Sequence, residues 1–204
     1  MRIGIVSDTH IPEVGSELPP QLFEVFRDCE LILHGGDLHA ISVIDRLEQI
    51  APTLAARGNG DTYERDGLRP GVPEDARIAD ARVLQLGDFG VGLTHDLELA
   101  EKMPDEAAAE ALAEVFGAAV DIAVCGHTHV PLARGLANGA TLLNPGSATM
   151  PYGYTHLLGT AARLELGAGR FEFTVVDLPS GRVEVSYEGP AAGTLWRGSR
   201  PAPR

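Results

Sequence analysis

Five short clusters along the chain each contain side chains that can bind a divalent metal ion. Together they offer two carboxylates, one amide and four imidazoles, namely Asp8, His10, Asp37, Asn59, His95, His127 and His129. Seven ligands are too many for one closed zinc site, which uses four, and suit two ions that share a bridging ligand. The residue types therefore predict a dinuclear metal site.

The spacing inside two of the clusters supports joint binding. Asp8 and His10 are two residues apart at the end of an apolar run, and so are His127 and His129. In extended backbone, residues i and i+2 point to the same face, so Asp8 and His10 can reach one ion. Turn geometry at the second pair could instead direct His127 and His129 to two different ions.

Asp37 and Asn59 have complementary chemistry. Asp37 follows Gly35-Gly36, which allow a tight turn and a close approach of the backbone to a ligand. A carboxylate carries lone pairs on two oxygens, so Asp37 is the candidate to bridge two cations. Asn59 can add a neutral carbonyl oxygen without further charge.

Each cluster alone has a simpler interpretation. Asp-Thr-His could be a polar loop pair, Gly-Asn-Gly-Asp a turn, and His95 a satisfied histidine at a strand edge. Gly126-His127-Thr128-His129 is the least accidental, because two histidines after a buried strand are costly without partners. Only the ordered appearance of all five clusters makes the metal site the better hypothesis.

The elements that position these clusters alternate between strand and helix. The pattern predicts strands at Arg2–Ser7, Glu30–His34, Pro52–Arg57, Arg82–Leu86, Val91–Thr94 and Asp121–Cys125, and helices at Gln21–Arg27, Ala40–Ile50 and Ala100–Phe116, with a surface loop at Thr62–Asp80. This alternation favours parallel pairing in an α/β architecture, in which ligands bind at the carboxyl ends of the strands.

The last third of the sequence changes to β-hairpins. Strands are predicted at Leu132–Leu136, Thr141–Asn144, Thr160–Leu166, Phe171–Asp177 and Arg182–Tyr187, with turns at Asn138-Gly139 and Ser180-Gly181. The hairpins from Thr160 onward could extend a sheet or pair with a second subunit as a homo-oligomer. The pattern predicts one domain over 1–188 and a mobile tail over Gly189–Arg204.

Composition limits the class of protein. The chain has 204 residues and a net charge of −13 with only 16 basic residues, which argues against general nucleic-acid binding. No apolar stretch approaches the length of a membrane span, and the first residues read as a strand, so a cytoplasmic protein without membrane association is predicted. Cys29 and Cys125 lie in apolar runs and are predicted to be buried free thiols.

The order Asp-x-His, Gly-Asp, Gly-Asn, Thr-His and Gly-His-Thr-His, together with Asn144-Pro145-Gly146-Ser147, resembles the calcineurin-like metallophosphoesterase superfamily and its small bacterial and archaeal phosphodiesterase branch. The resemblance covers about Arg2–Ser147. It implies an α/β (α+β) fold, a four-layer αββα sandwich with two mixed β-sheets. It places Asp8, His10 and His129 on one metal and Asn59, His95 and His127 on the other, with Asp37 as the bridge.

The sequence departs from this family in three places. Many members follow Gly-Asn with a histidine that acts as proton donor or transition-state stabiliser, where this chain has Gly60 and then Asp61. His95 is followed by Asp96-Leu97, where the branch commonly has Gly-His. The segment after Leu166 is longer than the branch usually needs.

The resemblance and the ligand types imply a metal-dependent phosphoric ester hydrolase. Nitrogen and oxygen ligands without thiolate suit Mn²⁺ first and also Fe²⁺, Zn²⁺, Co²⁺ or Ni²⁺. A hydroxide bridging the two ions would attack a small phosphodiester, with Asp37, Asn59 and His95 in the catalytic centre.

The general acid is open between His39 and Asp61, either of which could be a loop residue, and Asp61 could instead orient a ligand. Arg57 and Arg65 could contact phosphate or form surface ion pairs. Alternatives are a phosphomonoesterase or nucleotide pyrophosphatase, and a non-catalytic binding scaffold.

Overall fold

The computed structural model describes residues 1–62, 64–65, 69–153 and 157–189. Its strands are β1 (Arg2–Val6), β2 (Leu31–His34), β3 (Thr53–Ala56), β4 (Glu64–Arg65), β5 (Arg69–Pro70), β6 (Ile78–Ala79), β7 (Ala81–Leu86), β8 (Phe89–Thr94), β9 (Ile122–Val124), β10 (Pro131–Gly135), β11 (Thr141–Pro145), β12 (Thr160–Gly167), β13 (Arg170–Asp177) and β14 (Val183–Gly189). Its α-helices are α1 (Gln21–Phe26), α2 (Ser42–Leu47), α3 (Glu98–Lys102) and α4 (Asp105–Phe116), with 3₁₀ turns at Asn59–Thr62 and Pro151–Gly153.

Two mixed sheets form the centre of the fold. The seven-stranded sheet has the order β14-β13-β12-β1-β2-β3-β6, with β1, β2, β3 and β6 parallel and β12 to β14 antiparallel. The five-stranded sheet has the order β10-β11-β9-β8-β7, with β8, β9 and β11 parallel. β4 and β5 form a separate two-stranded sheet. The predicted α/β fold with two mixed sheets is confirmed.

Three apolar clusters hold four layers together. Ile3, Ile5, Val91, Val124 and Phe173 belong to the cluster between the two sheets. A second cluster packs α1 and α2 against the outer face of the larger sheet, and a third packs α3 and α4 against the smaller one. Each sheet is therefore apolar on both faces, as expected for strands covered on both sides.

The parallel strands end at one edge, where the five clusters of candidate metal ligands lie. β1, β2 and β3 lead into the loops of Asp8, Asp37 and Asn59, while β8 and β9 lead into those of His95 and His127. Backbone hydrogen bonds continue beyond the strands, as from Asp8 N–H to the Gly36 carbonyl at 3.0 Å. The sequence motifs are neighbours because parallel strands release their loops on the same side.

The predicted helix Ala100–Phe116 is wrong as a single element. It consists of α3 and α4, with Pro104 at the start of α4 in an extended conformation (φ −54°, ψ 153°). Proline lacks a backbone N–H and disfavours helical backbone in the residue before it, so Met103 cannot continue α3 into α4. The predicted stop is confirmed: Gly117 ends α4 with a left-handed φ of 63°.

The predicted surface loop Thr62–Asp80 contains regular structure. β6 pairs with β3 and closes the edge of the seven-stranded sheet, and β4 pairs with β5. A two-residue strand is too short to show the alternation of apolar and polar residues by which strands are predicted. Some residues of this stretch lie outside the described part of the chain.

The late hairpins extend the larger sheet, as the simpler of the two alternatives predicted. β12 pairs with β1 over the register Arg2↔Glu165 to Ile5↔Ala162, and β13 and β14 follow in antiparallel order. The extra length after Leu166 therefore adds two strands to the sheet. Apart from Gly189 in β14, the tail for which mobility was predicted lies outside the described residues.

Two further expectations concern cysteines and membrane association. Cys29 and Cys125 are both buried free thiols, as predicted, and burial raises the pKa of Cys29 to about 11. In the described part of the chain, every helix is too short or too polar to cross a bilayer.

We expect Gly4→Ala to lower the free energy of unfolding by about 1–3 kcal/mol, because the added methyl overpacks the core. A Cβ at Gly4 would lie 2.7 Å from the ring of Phe26, which is fully buried and cannot move aside. Gly15→Ala is the matched control, since the nearest atom to its Cβ lies at 3.9 Å. Urea unfolding of both variants checks this, and equal stabilities would contradict the packing argument.

Candidate metal centre

The first cluster of site residues consists of Asp8, His10 and His129. The Nε2 atoms of His10 and His129 lie 3.2 Å apart. Oδ1 of Asp8 lies 3.9 Å from Nε2 of His10 and 3.4 Å from Nε2 of His129. Asp8 is fully buried and His10 is nearly so. Three potential metal ligands therefore surround one small space.

The second cluster consists of Asn59, His95 and His127. Oδ1 of Asn59 lies 3.1 Å from Nε2 of His95 and 3.1 Å from Nδ1 of His127. The two ring nitrogens are themselves 3.2 Å apart. One oxygen and two nitrogens thus converge on a second space, which is more exposed to solvent than the first.

Asp37 lies between the two clusters and presents one oxygen to each. Its Oδ2 is 4.0 Å from Nε2 of His10, and its Oδ1 is 3.6 Å from Nε2 of His95. Oδ1 also accepts the backbone N–H of Gly60 at 2.7 Å. This carboxylate therefore links the two halves of the site.

The ligand spacing fits divalent metal ions. Ligand atoms about 2.1 Å from one ion lie about 3.0–3.4 Å apart at octahedral or tetrahedral angles. The contacts of 3.1–3.2 Å within the two clusters match this spacing. The donors are imidazole nitrogens and carboxylate or amide oxygens, which suit Mn²⁺, Fe²⁺, Co²⁺, Ni²⁺ or Zn²⁺. The residues present therefore fit the metal that the resemblance implies.

Backbone carbonyls set the proton positions of two imidazoles. Nδ1 of His95 donates to the Gly35 carbonyl oxygen at 2.7 Å, and Nδ1 of His129 donates to that of Met150 at 2.8 Å. A carbonyl oxygen can only accept, so the hydrogen of a neutral ring lies on Nδ1 and Nε2 keeps its lone pair for the cluster. Such partners behind metal-binding histidines orient the ring and strengthen binding.

His127 uses the opposite nitrogen. Its Nδ1 faces Asn59 and His95, while its Nε2 lies 3.9 Å from a carboxylate oxygen of Asp96 and 3.8 Å from one of Glu98. The departure from the family pattern at Asp96 therefore places a negative charge behind this imidazole. Asp96 is exposed, so water screens much of its effect.

The pKa shifts of Asp8 and His10 favour the metal-binding forms of these two residues. Burial acts to lower the pKa of His129, but the hydrogen bond and charge of Asp8 raise it above its usual value. Burial lowers the pKa of His10 to about 3. Burial acts to raise the pKa of Asp8, but the hydrogen bond from His129 and the charges of His95 and His129 bring it below its usual value. At neutral pH the cluster thus offers an ionised carboxylate and a neutral imidazole at His10, which are the forms that bind metal.

The backbone of the site loops is strained. Among the described residues seven non-glycine residues have a positive φ, and six of them, with φ between 48° and 70°, are Asp8, His10, Asp37, His39, His127 and His129. This region is unfavourable for residues with a Cβ and persists only where surrounding contacts enforce it. Such strain concentrates at functional sites, and His39 shares it although it lies in neither cluster.

Asp61, one of the two general-acid candidates, is committed to the backbone. It is 1% exposed, and its two oxygens accept the N–H groups of Asp37 at 3.0 Å, His39 at 2.8 Å and Gly58 at 2.8 Å. Burial raises its pKa, while the donors at His39 and Gly58 act in the opposite direction. The contacts make Asp61 a clamp that holds two site loops together.

His39, the other general-acid candidate, lies behind the first cluster. It is fully buried, and its Nε2 is 2.9 Å from Nδ1 of His10. Burial lowers the pKa of His39, with a further contribution from the charge of Arg69. The ring therefore faces a metal-ligand candidate and the protein interior rather than the solvent-accessible side of the site.

Three residues that could have contacted a substrate are engaged elsewhere. Arg57 donates to the carbonyl oxygens of Val72 and Pro73 at 2.7 and 3.2 Å. Asn144 and Ser147 are fully buried, and Ser147 donates to the Asp8 carbonyl at 2.8 Å. These side chains support the loops. The side chain of Arg65 lies outside the described residues.

His34 is a supporting residue that the sequence reasoning missed. It ends β2 and is fully buried. Its Nδ1 accepts the Gly36 N–H at 3.1 Å and its Nε2 lies 3.1 Å from the hydroxyl of Thr9. The ring thereby connects the loop of Asp8 to that of Asp37. A histidine directly before Gly-Gly-Asp was the available signal.

We expect His34 to make the metal-free protein less stable in acid. Burial lowers its pKa from 6.5 to about 3. Below about pH 6.5 the imidazole of His34 is protonated in the unfolded chain and stays neutral in the folded chain. The contribution of His34 to the free energy of unfolding is therefore complete above that pH and is lost as the pH falls. The slope attributable to this residue is about 1.4 kcal/mol per pH unit. Urea unfolding of wild type and His34→Gln at about pH 7, 6 and 5 measures it, and equal slopes would contradict the assignment.

A cavity of about 370 Å³ opens beside the second cluster. Asn59, His95 and His127 line it together with Arg57 and Asp96. A larger cavity, of about 520 Å³, lies at Met1 and the start of β1, at the opposite end of that strand from the site. Of these two cavities the smaller is the relevant one, because it reaches the metal-ligand candidates. A third cavity, of about 470 Å³, also opens at His127 and is lined by Glu98 and Lys102.

The sandwich and the histidine and aspartate side chains at its strand ends together define a metallophosphoesterase fold. The structure is similar to that of Vacuolar Protein Sorting 29 from Cryptosporidium parvum, with a TM-score of 0.71 and 24% identity over 93% of this chain and 97% of that one. At this level of identity the likeness shows the fold alone.

Relatives in sequence define the family more closely. Residues 1–169 match the family model of the calcineurin-like phosphoesterase superfamily domain. The chain is 40% identical over 153 residues to a probable metallophosphoesterase of Methanothermobacter thermautotrophicus, covering 74% of this chain and 79% of the relative. It is 30% identical over 151 residues to one of Methanocaldococcus jannaschii, covering 74% and 70%. The chain belongs to the calcineurin-like phosphoesterase superfamily, as its motifs predicted.

Proposed function

We propose that the chain is a dinuclear-metal-dependent phosphodiesterase that hydrolyses a small phosphodiester. The observation that carries the proposal is the position of Asp37, whose two oxygens face two separate groups of metal-ligand candidates. A carboxylate shared in this way is typical of two-metal hydrolytic sites. Membership of the metallophosphoesterase family supports a phosphoester as the substrate.

The proposed roles follow from the contacts. Asp8, His10 and His129 would hold one ion, Asn59, His95 and His127 would hold the other, and Asp37 would contribute to both. When bound, two divalent ions supply a water nucleophile activated near neutral pH and stabilise charge on the phosphoryl oxygens. The chain's own contribution is to place the hydrogen of each neutral ring on Nδ1 and to direct Nε2 at the site, through the carbonyl acceptors behind His95 and His129.

The leaving group receives little help from the protein in this proposal. Asp61 accepts three backbone N–H groups and His39 is fully buried, so both support the site rather than reach a substrate. Gly60 provides no side chain at the position where many members of the superfamily have a histidine. The enzyme is therefore expected to favour esters with acidic leaving groups.

The charges around the cavity favour a diester over a monoester. Arg57 is the one basic side chain among the described residues that line it, and its guanidinium is already bonded to the Val72 and Pro73 carbonyls. Asp96 and Glu98 add negative charge beside His127. A monoester dianion carries one more negative charge than a diester, so these carboxylates would repel it more strongly.

A binding scaffold is the second candidate. Gly60 in place of the family's histidine supports it. The convergence of all seven ligand candidates favours the enzyme, because packing four imidazoles and two carboxylates together is costly without ions to bind. The cytoplasmic location and a homo-oligomer stay predictions.

We expect chelator-stripped protein to cleave a chromogenic phosphodiester after addition of Mn²⁺ and to cleave the matching monoester more slowly. His127→Ala is the control variant, since it removes one candidate ligand at the more exposed cluster. A faster monoester reaction would select the phosphomonoesterase alternative. Absence of turnover with either ester, despite binding of Mn²⁺, would contradict the enzyme proposal and favour the scaffold.

A further inference from the structure

A row of four polar side chains extends from the first cluster into the protein. Nδ1 of His10 lies 2.9 Å from Nε2 of His39. The two rings meet edge to face, with centroids 4.4 Å apart and planes at 81°. This nitrogen of His10 is the one that does not face Asp8 and His129, so His39 contacts the back of a proposed metal ligand.

The row continues to a half-buried ion pair. Nδ1 of His39 lies 3.2 Å from Oε2 of Glu13, close enough for an electrostatic contact although the two atoms do not meet hydrogen-bond geometry. The same oxygen accepts Nε of Arg69 at 2.7 Å. Glu13 lies in a turn and Arg69 begins β5, 56 residues further along the sequence. A carboxylate held by an arginine is ionised, so it can only accept hydrogen bonds.

The carboxylate at the end determines where each hydrogen lies. Because this negative charge lies 3.2 Å from Nδ1, a neutral His39 keeps its hydrogen on Nδ1 and offers a lone pair at Nε2. That lone pair accepts a hydrogen from Nδ1 of His10, which leaves Nε2 of His10 unprotonated and directed at the first cluster. If the two rings had the opposite tautomers, His39 would donate from Nε2 to Nδ1 of His10, and the hydrogen on Nε2 of His10 would block metal binding.

We propose that His39, oriented by Glu13 and Arg69, is a positioning residue that fixes the tautomer and direction of His10 for metal binding. The inference rests on the proposed metal centre. It assigns His39 a role other than general acid, since both of its ring nitrogens face protein side chains.

The glycine that departs from the family pattern provides the space for His39. A Cβ at Gly60 would lie 2.4 Å from Nε2 of His39, far inside contact distance. The His39 backbone also has the positive φ shared by the ligand loops, and its N–H is bonded to Asp61 at 2.8 Å. The imidazole therefore occupies the volume that a side chain at position 60 would take.

The experiment measures metal affinity rather than turnover. Chelator-stripped wild type, His39→Ala, His39→Gln and Glu13→Gln are titrated with Mn²⁺ by calorimetry and with Co²⁺ by visible absorption. We expect His39→Ala to weaken one of the two sites by about 10–100-fold and to leave the other within about threefold. Glu13→Gln is expected to weaken the same site by about tenfold.

His39→Gln is the rescue variant. Its amide can accept the hydrogen of His10 with its oxygen and donate to Glu13 with its nitrogen, so most of the lost affinity should return. Glu17→Gln, which changes an exposed acid in the same loop region, is the control. The melting temperature of each metal-free variant shows that it folds. Unchanged affinity in a folded His39→Ala, or no recovery in a folded His39→Gln, would overturn the proposal.

The outcome also separates this inference from the proposed function. Wild type that binds two ions but cleaves no ester would contradict the enzyme and still allow the affinity test of His39. If wild type binds two ions and His39→Ala binds them with unchanged affinity, only the positioning role is contradicted. A third ion bound by wild type between His10, Glu13 and His39 would also overturn it, because Nδ1 of His10 would then be a ligand.

Discussion

Asp37→Asn is expected to lower phosphodiester turnover by at least about 10³-fold at saturating Mn²⁺, because it removes the group that two ions share. The carboxylate faces His10 with one oxygen and His95 with the other, at 4.0 and 3.6 Å. An amide has one oxygen and no net charge, so it can serve only one ion. Initial rates with a chromogenic diester measure the loss, and elemental analysis measures the ions bound per chain.

The fold should survive this substitution. The Asn oxygen can still accept the Gly60 N–H that Oδ1 of Asp37 accepts at 2.7 Å. Replacing a carboxylate among ligands that lack their metal also removes charge from a buried site. The metal-free variant is therefore expected to melt within a few degrees of wild type, and Asp88→Asn in an exposed turn controls for loss of an acid elsewhere. Retained turnover in both Asp37→Asn and His127→Ala would refute the site.

Asp61→Ala is expected to lower the free energy of unfolding of the metal-free protein by about 3–6 kcal/mol. It leaves three buried N–H groups, those of Asp37, His39 and Gly58, without an acceptor. Each unsatisfied buried donor costs about 1–3 kcal/mol. Because two of the donors belong to the loop of Asp37, loss of metal binding should accompany the loss of stability.

The contrast between the two aspartates separates ligand from support. Asp61→Asn keeps one acceptor oxygen but points its NH₂ group at backbone N–H donors. We expect it to lower the free energy of unfolding by about 2 kcal/mol or more. Urea unfolding of the metal-free variants measures these differences, with Asp88→Ala as the exposed control, expected within about 0.5 kcal/mol of wild type. An Asp61→Ala protein as stable as wild type would show that water or other groups satisfy the three donors.

Most of the elements follow from local patterns in the sequence. The apolar runs that became β1, β2 and β3 and the helix beginning at Gln21 lie within a residue or two of their predicted ends. The errors have local and non-local causes. Pro104 interrupts an alanine-rich stretch whose composition favours one helix. β6 is two residues long and exists because β3 offers it an edge, which no local pattern records.

The site shows the same division. Sequence motifs were sufficient to nominate the seven ligand candidates, because each lies directly after a strand whose end is set by local pattern. The roles of Asp61 and His39 were left open as general acids or loop residues. Their contacts favour support instead, since Asp61 bonds the backbone of residues 24 and 22 positions away and His39 faces His10 from 29 positions away.

The sequence by itself determined the types of candidate ligand, their order along the chain and the α/β architecture that places them on one edge. These properties follow from residue chemistry and from strand periodicity, both of which are local. Only the tertiary structure decided which oxygen of Asp37 faces which cluster, which nitrogen of each imidazole is free, and that Glu13 and Arg69 stand behind His39. Hydrogen-bond partners depend on differences of a few tenths of an ångström in the distances between loops that are far apart in sequence. The packing of the two sheets sets those distances.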